Sequence, residues 1–190
     1  MLGHKRIYKM KGNIKIRQAT IQDAKDIKSA HYHAYQVNYR GYAPDDFLNS
    51  LVFDDAAIQR MADHIKENEY YVAEKEGCVI GFVNLRYPQK HVVEIGGLYV
   101  HPDFQKLGVG SALMKKVCHM KKKLGYTKLI LWTIKDGPSL GFYAKQGLKP
   151  SRVPEKKAGP FIAVRLEKSL VLDTPSPCPT HGTKTLHSRD

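Results

Sequence analysis

Val100-His101-Pro102-Asp103-Phe104-Gln105-Lys106-Leu107-Gly108-Val109-Gly110-Ser111 joins a strand to a helix through a turn that carries two glycines. The strand comes first, from Val92 to Val100, interrupted at Gly96-Gly97. The helix follows over 109–124, with Val109, Ala112, Leu113, Val117, Met120 and Leu124 on one face and Lys115, Lys116, His119, Lys122 and Lys123 on the other. Gly125 ends it at the position where a left-handed residue suits a helix C-terminus. A helix start exposes unpaired N–H groups and about half a positive charge. Gly108 and Gly110 lack Cβ, so an anion is able to approach the main chain there, as in a phosphate cradle. Two familiar cradles are excluded. No GxxxxGKS/T run is present, and GxGxxG fails because Gly110 is followed by Ser111, Ala112 and Leu113.

Outward from this loop, Lys128 to Ile134 is an apolar strand, so strand, helix and strand form a βαβ unit with two parallel strands. Upstream, Tyr70–Glu74 and Val79–Leu85 alternate about a Glu76-Gly77 turn and predict a hairpin. Adjacent Gly96 and Gly97 predict a bulge. Ile14–Arg17 reads as a first strand. Thr20 with Asp23 resembles a capping box ahead of a helix bearing Ala24, Ile27, Ala30, Ala34 and Val37. Arg40–Pro44 breaks that helix, and Pro44, Asp45 and Asp46 open a short one. A further helix over 54–66 carries Ile58, Met61, Ala62 and Ile65 at helical spacing. Downstream come a short helix over 138–146, ended by Gly147, and a last core strand from Phe161 to Leu166. This order predicts one mixed α/β domain over 14–170. Residues 1–13 read as a basic flexible lead-in, and 171–190, rich in proline and hydroxyls, as a disordered polar tail.

The 190 residues hold 31 Lys+Arg against 18 Asp+Glu, a formal charge of +13, with 42% hydrophobic and 26% charged residues. That composition suits a globular domain with a core of its own. No run is apolar enough for a membrane-spanning helix, and no apolar stretch follows the basic N-terminus as a secretory signal requires. Cys78, Cys118 and Cys178 are too scattered for a disulfide framework or a zinc site, so a reducing, cytoplasmic setting is expected. The positive balance calls for an anionic partner: a phosphorylated cofactor, a nucleic acid or an acidic surface. A nucleic-acid reader needs basic residues interleaved with stacking aromatics, and Arg86-Tyr87 and the tyrosines of 32–42 are the nearest approach. His31 and His33, two apart on a helix, point in different directions, and no metal site is expected.

Gln105-x-x-Gly108-x-Gly110, preceded by Leu98-Tyr99-Val100-His101-Pro102, resembles the GCN5-related N-acetyltransferase (GNAT) family. Ile16–Asp23, Arg40–Asp45 and Phe142-Tyr143-Ala144-Lys145-Gln146-Gly147-Leu148 resemble further family segments in the family's order, so the resemblance covers about 14–168. It implies a mostly antiparallel, twisted sheet with central parallel strands that splay apart, flanked by helices. It implies acetyl-CoA as acyl donor and an amine as acceptor. Backbone groups of Leu98, Tyr99 and Val100 would pair with the pantetheine arm. Backbone N–H groups of Gln105, Lys106, Leu107, Gly108, Val109, Gly110 and Ser111 would hold the pyrophosphate. Asp136 stands where the family has a cofactor-contacting Asn. A carboxylate does not donate as an amide does, so either Asp136 faces solvent or the contact passes to Ser139. Leu148 replaces the family's Phe.

Acetyl transfer needs a neutral amine, and a lysine-like amine titrates near ~10.4, so neutralising it at pH 7 costs roughly 4–5 kcal/mol. Glu94, on the central strand before the glycine pair, falls where several family members carry a catalytic acid, so the resemblance makes it the candidate base, its pKa to be raised by burial; the same residue also reads as a solvated strand-end carboxylate. Tyr143 falls where the family has a tyrosine that donates to the leaving sulfur; it also reads as a core aromatic. Direct attack, with a backbone N–H on the developing oxyanion, is the expected route. Cys118 reads as packing rather than as a nucleophile. Tyr32, Tyr35, Tyr39 and Tyr42 are expected on one side of the first helix and its exit, where the family closes over its acceptor. The acceptor is a small-molecule amine, a polyamine or a peptide amine. A protein N-terminus or lysine, and a non-catalytic anion- or nucleic-acid-binding module, remain as alternatives, and a homodimer is left open.

Overall fold

The computed structural model describes residues 13–171. Apart from Asn13 and Val171, the lead-in expected over 1–13 and the tail expected over 171–190 lie outside the described residues. The strands are β1 (Lys15–Gln18), β2 (Glu69–Lys75), β3 (Cys78–Gln89), β4 (Val92–Val100), β5 (Lys128–Ile134), β6 (Lys149–Pro150), β7 (Lys156–Ala158) and β8 (Phe161–Ser169). The helices are α1 (Ala24–Asn38), α2 (Asp45–Asn49), α3 (Asp55–Glu67), α4 (Val109–Lys123) and α5 (Leu140–Lys145). One sheet runs β1-β2-β3-β4-β5-β8-β6, with β7 also on β8. Every pairing is antiparallel except β4 with β5. The expected βαβ unit is therefore present, and its two strands lie at the sheet's centre.

Alternation places two cores on the two faces. Val83, Leu85, Val93, Ile95, Leu129 and Leu131 pack against Val109, Leu113, Met114 and Val117 of α4. On the opposite face Val72, Phe82 and Tyr70 pack against Ala24, Ile27 and Ala30 of α1 and Ile65 of α3. The Thr20–Asp23 capping box forms: Asp23 accepts from the Thr20 backbone N–H at 2.7 Å. The same carboxylate receives both terminal nitrogens of Arg17, at 2.7 and 2.8 Å, and this pair holds Asp23 below the usual carboxylate range.

β3 runs four residues past the expected end, to Gln89, because Arg86 and Gln89 pair with Glu94 and Val92 of β4. β6 and β7 were not predicted: each is too short to show a period, and both exist only because β8 offers an edge. Among the described residues no helix is long and apolar enough to cross a membrane.

Candidate active site

β4 pairs with β5 only from Val92–Ile95 to Lys128–Leu131. Beyond that point β5 continues against β8, β4 continues against β3, and the two central strands part. The cause lies on the β3 side. Asn84 pairs with Gly97 and Leu85 with Ile95, so Gly96 is the extra residue of a bulge, which bends and twists the strand that carries it. Each glycine leaves room for a neighbouring side chain. A Cβ on Gly96 would lie 2.5 Å from the Asn84 amide nitrogen, and one on Gly97 would lie 2.9 Å from the Tyr99 ring.

A cavity of about 1220 Å³ fills the gap between the parted strands. Leu98, Tyr99 and Val100 line one wall, with no strand on their β5 side. The Val100 carbonyl accepts from the Gln105 side chain at 2.9 Å, which ties the loop to the strand end and leaves that carbonyl one lone pair.

The loop then reverses direction. Lys106 has φ 61° and Gly108 φ 83°, both left-handed, and α4 begins at the next residue. The backbone N–H groups of residues 106–111 meet no acceptor among the described residues, and Gly108 supplies no side-chain cap. Gln105, Lys106, Gly108, Val109, Gly110 and Ser111 line the cavity; Leu107 is exposed and does not. The Gln105 N–H is already bonded to the Pro102 carbonyl at 3.2 Å. The two glycines differ in purpose. Gly108 has open space around its missing Cβ and is needed for its backbone angle. Gly110 is pressed by Phe142, whose ring would lie 3.2 Å from a Cβ, so its bare face serves helix packing rather than an approaching phosphate.

That packing brings α5 to the cavity, helped by a 3.0 Å bond from the Gln146 amide to Ser111. Tyr143 lines the cavity, and its hydroxyl has no hydrogen-bond partner among the described residues. Burial, reinforced by nearby Tyr39, raises its pKa well above the usual phenol value, so the hydroxyl keeps its proton at neutral pH. Ser139 also lines the cavity, bonded to Thr133 at 2.8 Å. Asp136 does not: it is an exposed turn residue at φ 57°, with its side chain outside the cavity, so of the two expected positions it is Ser139 that faces the cavity.

Glu94 is also absent from the lining. It pairs across from Arg86, with 3.9 Å between Nη1 and Oε1, and its side chain is 16% exposed. Directly opposed residues share a sheet face, which puts Glu94 and Arg86 on the face of Asn84 and Tyr99. A polar track therefore runs from Glu94 past Arg86 and Asn84 over the two glycines to the tyrosine. Asn84 was not anticipated, since a single amide inside an apolar strand carries no motif.

The tyrosine series divides. Tyr35 and Tyr39 line the cavity; Tyr32 stacks on Phe53 at 5.9 Å, and Tyr42 is exposed beyond the helix. Tyr99 donates to the Tyr35 hydroxyl at 3.3 Å, and Tyr39 is pushed up to about 12 by burial and by Tyr35. His31 packs on Tyr35 and Tyr99, and His33 lies against His101 at 5.0 Å, so the two histidines do diverge. Cys118 packs against the α4-side core, and its thiol pKa is raised by burial.

Known proteins bear on this arrangement. Residues 28–148 match the acetyltransferase (GNAT) family. The chain is 28% identical over 146 residues to the uncharacterised N-acetyltransferase YuaI of Bacillus subtilis, covering 75% of this chain and 83% of that one. It is 24% identical to the amino-acid acetyltransferase of Vibrio atlanticus over 67% of this chain, but spans only 29% of that enzyme. In fold it is similar to the PaiA N-acetyltransferase of Thermoplasma acidophilum, solved in complex with coenzyme A, with a TM-score of 0.71 at 20% identity over 83% of this chain and 99% of that one. The ribosomal-protein-S18-alanine N-acetyltransferase of Escherichia coli superposes with a TM-score of 0.61 at 15% identity over 86% and 97%. With its family segment spanning the parted strands, the amide-lined turn and Tyr143, the chain belongs to the GNAT family of acetyltransferases, acyltransferases whose donor substrate is acetyl-CoA.

Proposed function

We propose that this protein transfers the acetyl group of acetyl-CoA to a primary amine by direct attack. One observation carries the reading: the main-chain N–H groups of 106–111 meet no acceptor among the described residues, at the head of α4 and on the cavity that an unpartnered strand edge and Tyr143 also line. Such a helix start favours a diphosphate, and Leu98 and Val100, on either side of Tyr99, offer backbone groups to an extended arm. The cavity exceeds the roughly 300–1,000 Å³ of a drug-sized site, which leaves room for donor and acceptor together. Bound acetyl-CoA supplies an acyl thioester. The amine lone pair forms the new C–N bond, and the C–S electron pair leaves with sulfur. Tyr143, kept protonated by burial, donates a hydrogen bond to that sulfur. The surplus proton of the amine passes along the Asn84 track to Glu94.

Trp132, the only tryptophan, lines the cavity and reports on binding. Acetyl-CoA is expected to change its fluorescence and raise the melting temperature, and an amine panel spanning polyamines and peptides is expected to release free thiol. Absence of both stabilisation and a fluorescence change at millimolar acetyl-CoA would refute the reading.

A further inference from the structure

We infer that the acceptor is a small primary amine bearing an aromatic group and no carboxylate. This rests on the acetyl-transfer reading above and concerns the end of the same cavity that α1, α2 and β8 close. Tyr35, Tyr39, Phe47, Tyr99 and Phe161 form one connected set of rings there. Tyr35 meets Tyr39 at 4.5 Å and Tyr99 at 5.5 Å; Phe161 meets Tyr39 at 5.8 Å and Phe47, edge-on, at 5.6 Å. Centroid spacings of about 4.5–7 Å with tilted planes are those in which aromatic rings attract one another, so a further ring is received on the same terms.

Charge narrows the choice. Among the described residues the charged side chains lining the cavity are Lys106 and Lys145, on the loop before α4 and at the end of α5. These two elements meet at Gly110 and Ser111, at the phosphate end. Among the described residues no side chain lining the ring-lined end is a cation to pair with an amino acid's carboxylate or a carboxylate to hold the second ammonium of a polyamine, and Lys156 of β7 is engaged over the Trp132 ring, 3.9 Å from its centroid. Either group would be desolvated without a partner, a cost of several kcal/mol by order of magnitude. The chain's formal charge of +13 further opposes a polycation. The polar groups that remain, the hydroxyls of Tyr35 and Tyr39 and the amide of Asn38, suit a single neutral amine.

The test measures acetyl-CoA-dependent thiol release with 2-phenylethylamine, n-butylamine, spermidine, L-glutamate and L-phenylalanine. Kcat/KM for 2-phenylethylamine is expected to exceed each of the others by tenfold or more; L-phenylalanine, with the same ring plus a carboxylate, isolates the charge. Phe47→Ala and the milder Phe161→Leu are expected to lower that preference at least threefold while acetyl-CoA still quenches Trp132. Preference for spermidine or for either amino acid overturns the inference, as does a preference that both variants leave intact. Acetyl-CoA binding without turnover of any of the five amines overturns it too, and leaves the acetyl-transfer reading standing. Failure of acetyl-CoA to bind takes down that reading first.

Discussion

Tyr143 is a buried phenol that lines the cavity, with no hydrogen-bond partner among the described residues, and under the proposed reaction it donates to the departing sulfur. A donor aimed at developing negative charge is worth about 10²–10³ in rate, so Tyr143→Phe should lower kcat by about that factor and leave acetyl-CoA affinity unchanged by fluorescence titration. Glu94 lies outside the cavity lining, so under the proposed reaction it acts at a distance. Glu94→Gln should lower kcat/KM most at low pH and for strongly basic amines, and a uniform loss across pH would point to a purely structural role. His31 is a third residue whose environment decides its behaviour. Burial among rings, with Lys28 nearby, lowers its pKa from 6.5 to about 4. The unfolded chain therefore binds the extra proton first. The resulting stabilisation is complete above pH 6.5 and is lost as pH falls towards 4. Urea unfolding at pH 7.5 and 4.5 should show the wild type losing on the order of 1–3 kcal/mol more than His31→Phe.

The turn into α4 gathers its function from backbone shape. Gly108 sits at φ 83° with open space around it, so Gly108→Val clashes with nothing and fails only conformationally, at about 1–2 kcal/mol. The released strain would turn the amides away, and acetyl-CoA affinity should fall tenfold or more. Gly108→Asn, which tolerates the left-handed region, should retain most of it. This element was legible because a strand, a glycine turn and a strongly amphipathic helix occur in immediate succession. The role of Gly110 was not. It depends on Phe142, more than thirty residues away, pressing on the same helix.

Across the whole molecule, one buried ion pair fastens the sheet to α4. Lys121, 3% exposed, reaches both oxygens of Glu69 on β2 at 2.8 and 2.9 Å, and Tyr71 and Tyr87 also donate to that carboxylate. Removing one partner leaves a buried charge, so Glu69→Ala should cost about 3–5 kcal/mol by denaturant unfolding, and Glu69→Leu with Lys121→Met should recover most of it. Lys121 belongs to a run of three lysines and reads as solvated. Only the packed sheet shows that the apolar side of α4 includes it. The same division holds throughout. Periodicity and turn chemistry act within a few residues, so the chain order of the principal strands and helices, the parallel β4–β5 pair and the glycine turn into α4 follow from the sequence alone. Which face Glu94 occupies, that Asp136 stands outside the cavity, and that five rings from four separate segments meet at one end of it depend on distances between residues remote in the chain. Those distances are set by the register shift at Gly96 and by packing across the sheet, and folding alone creates them.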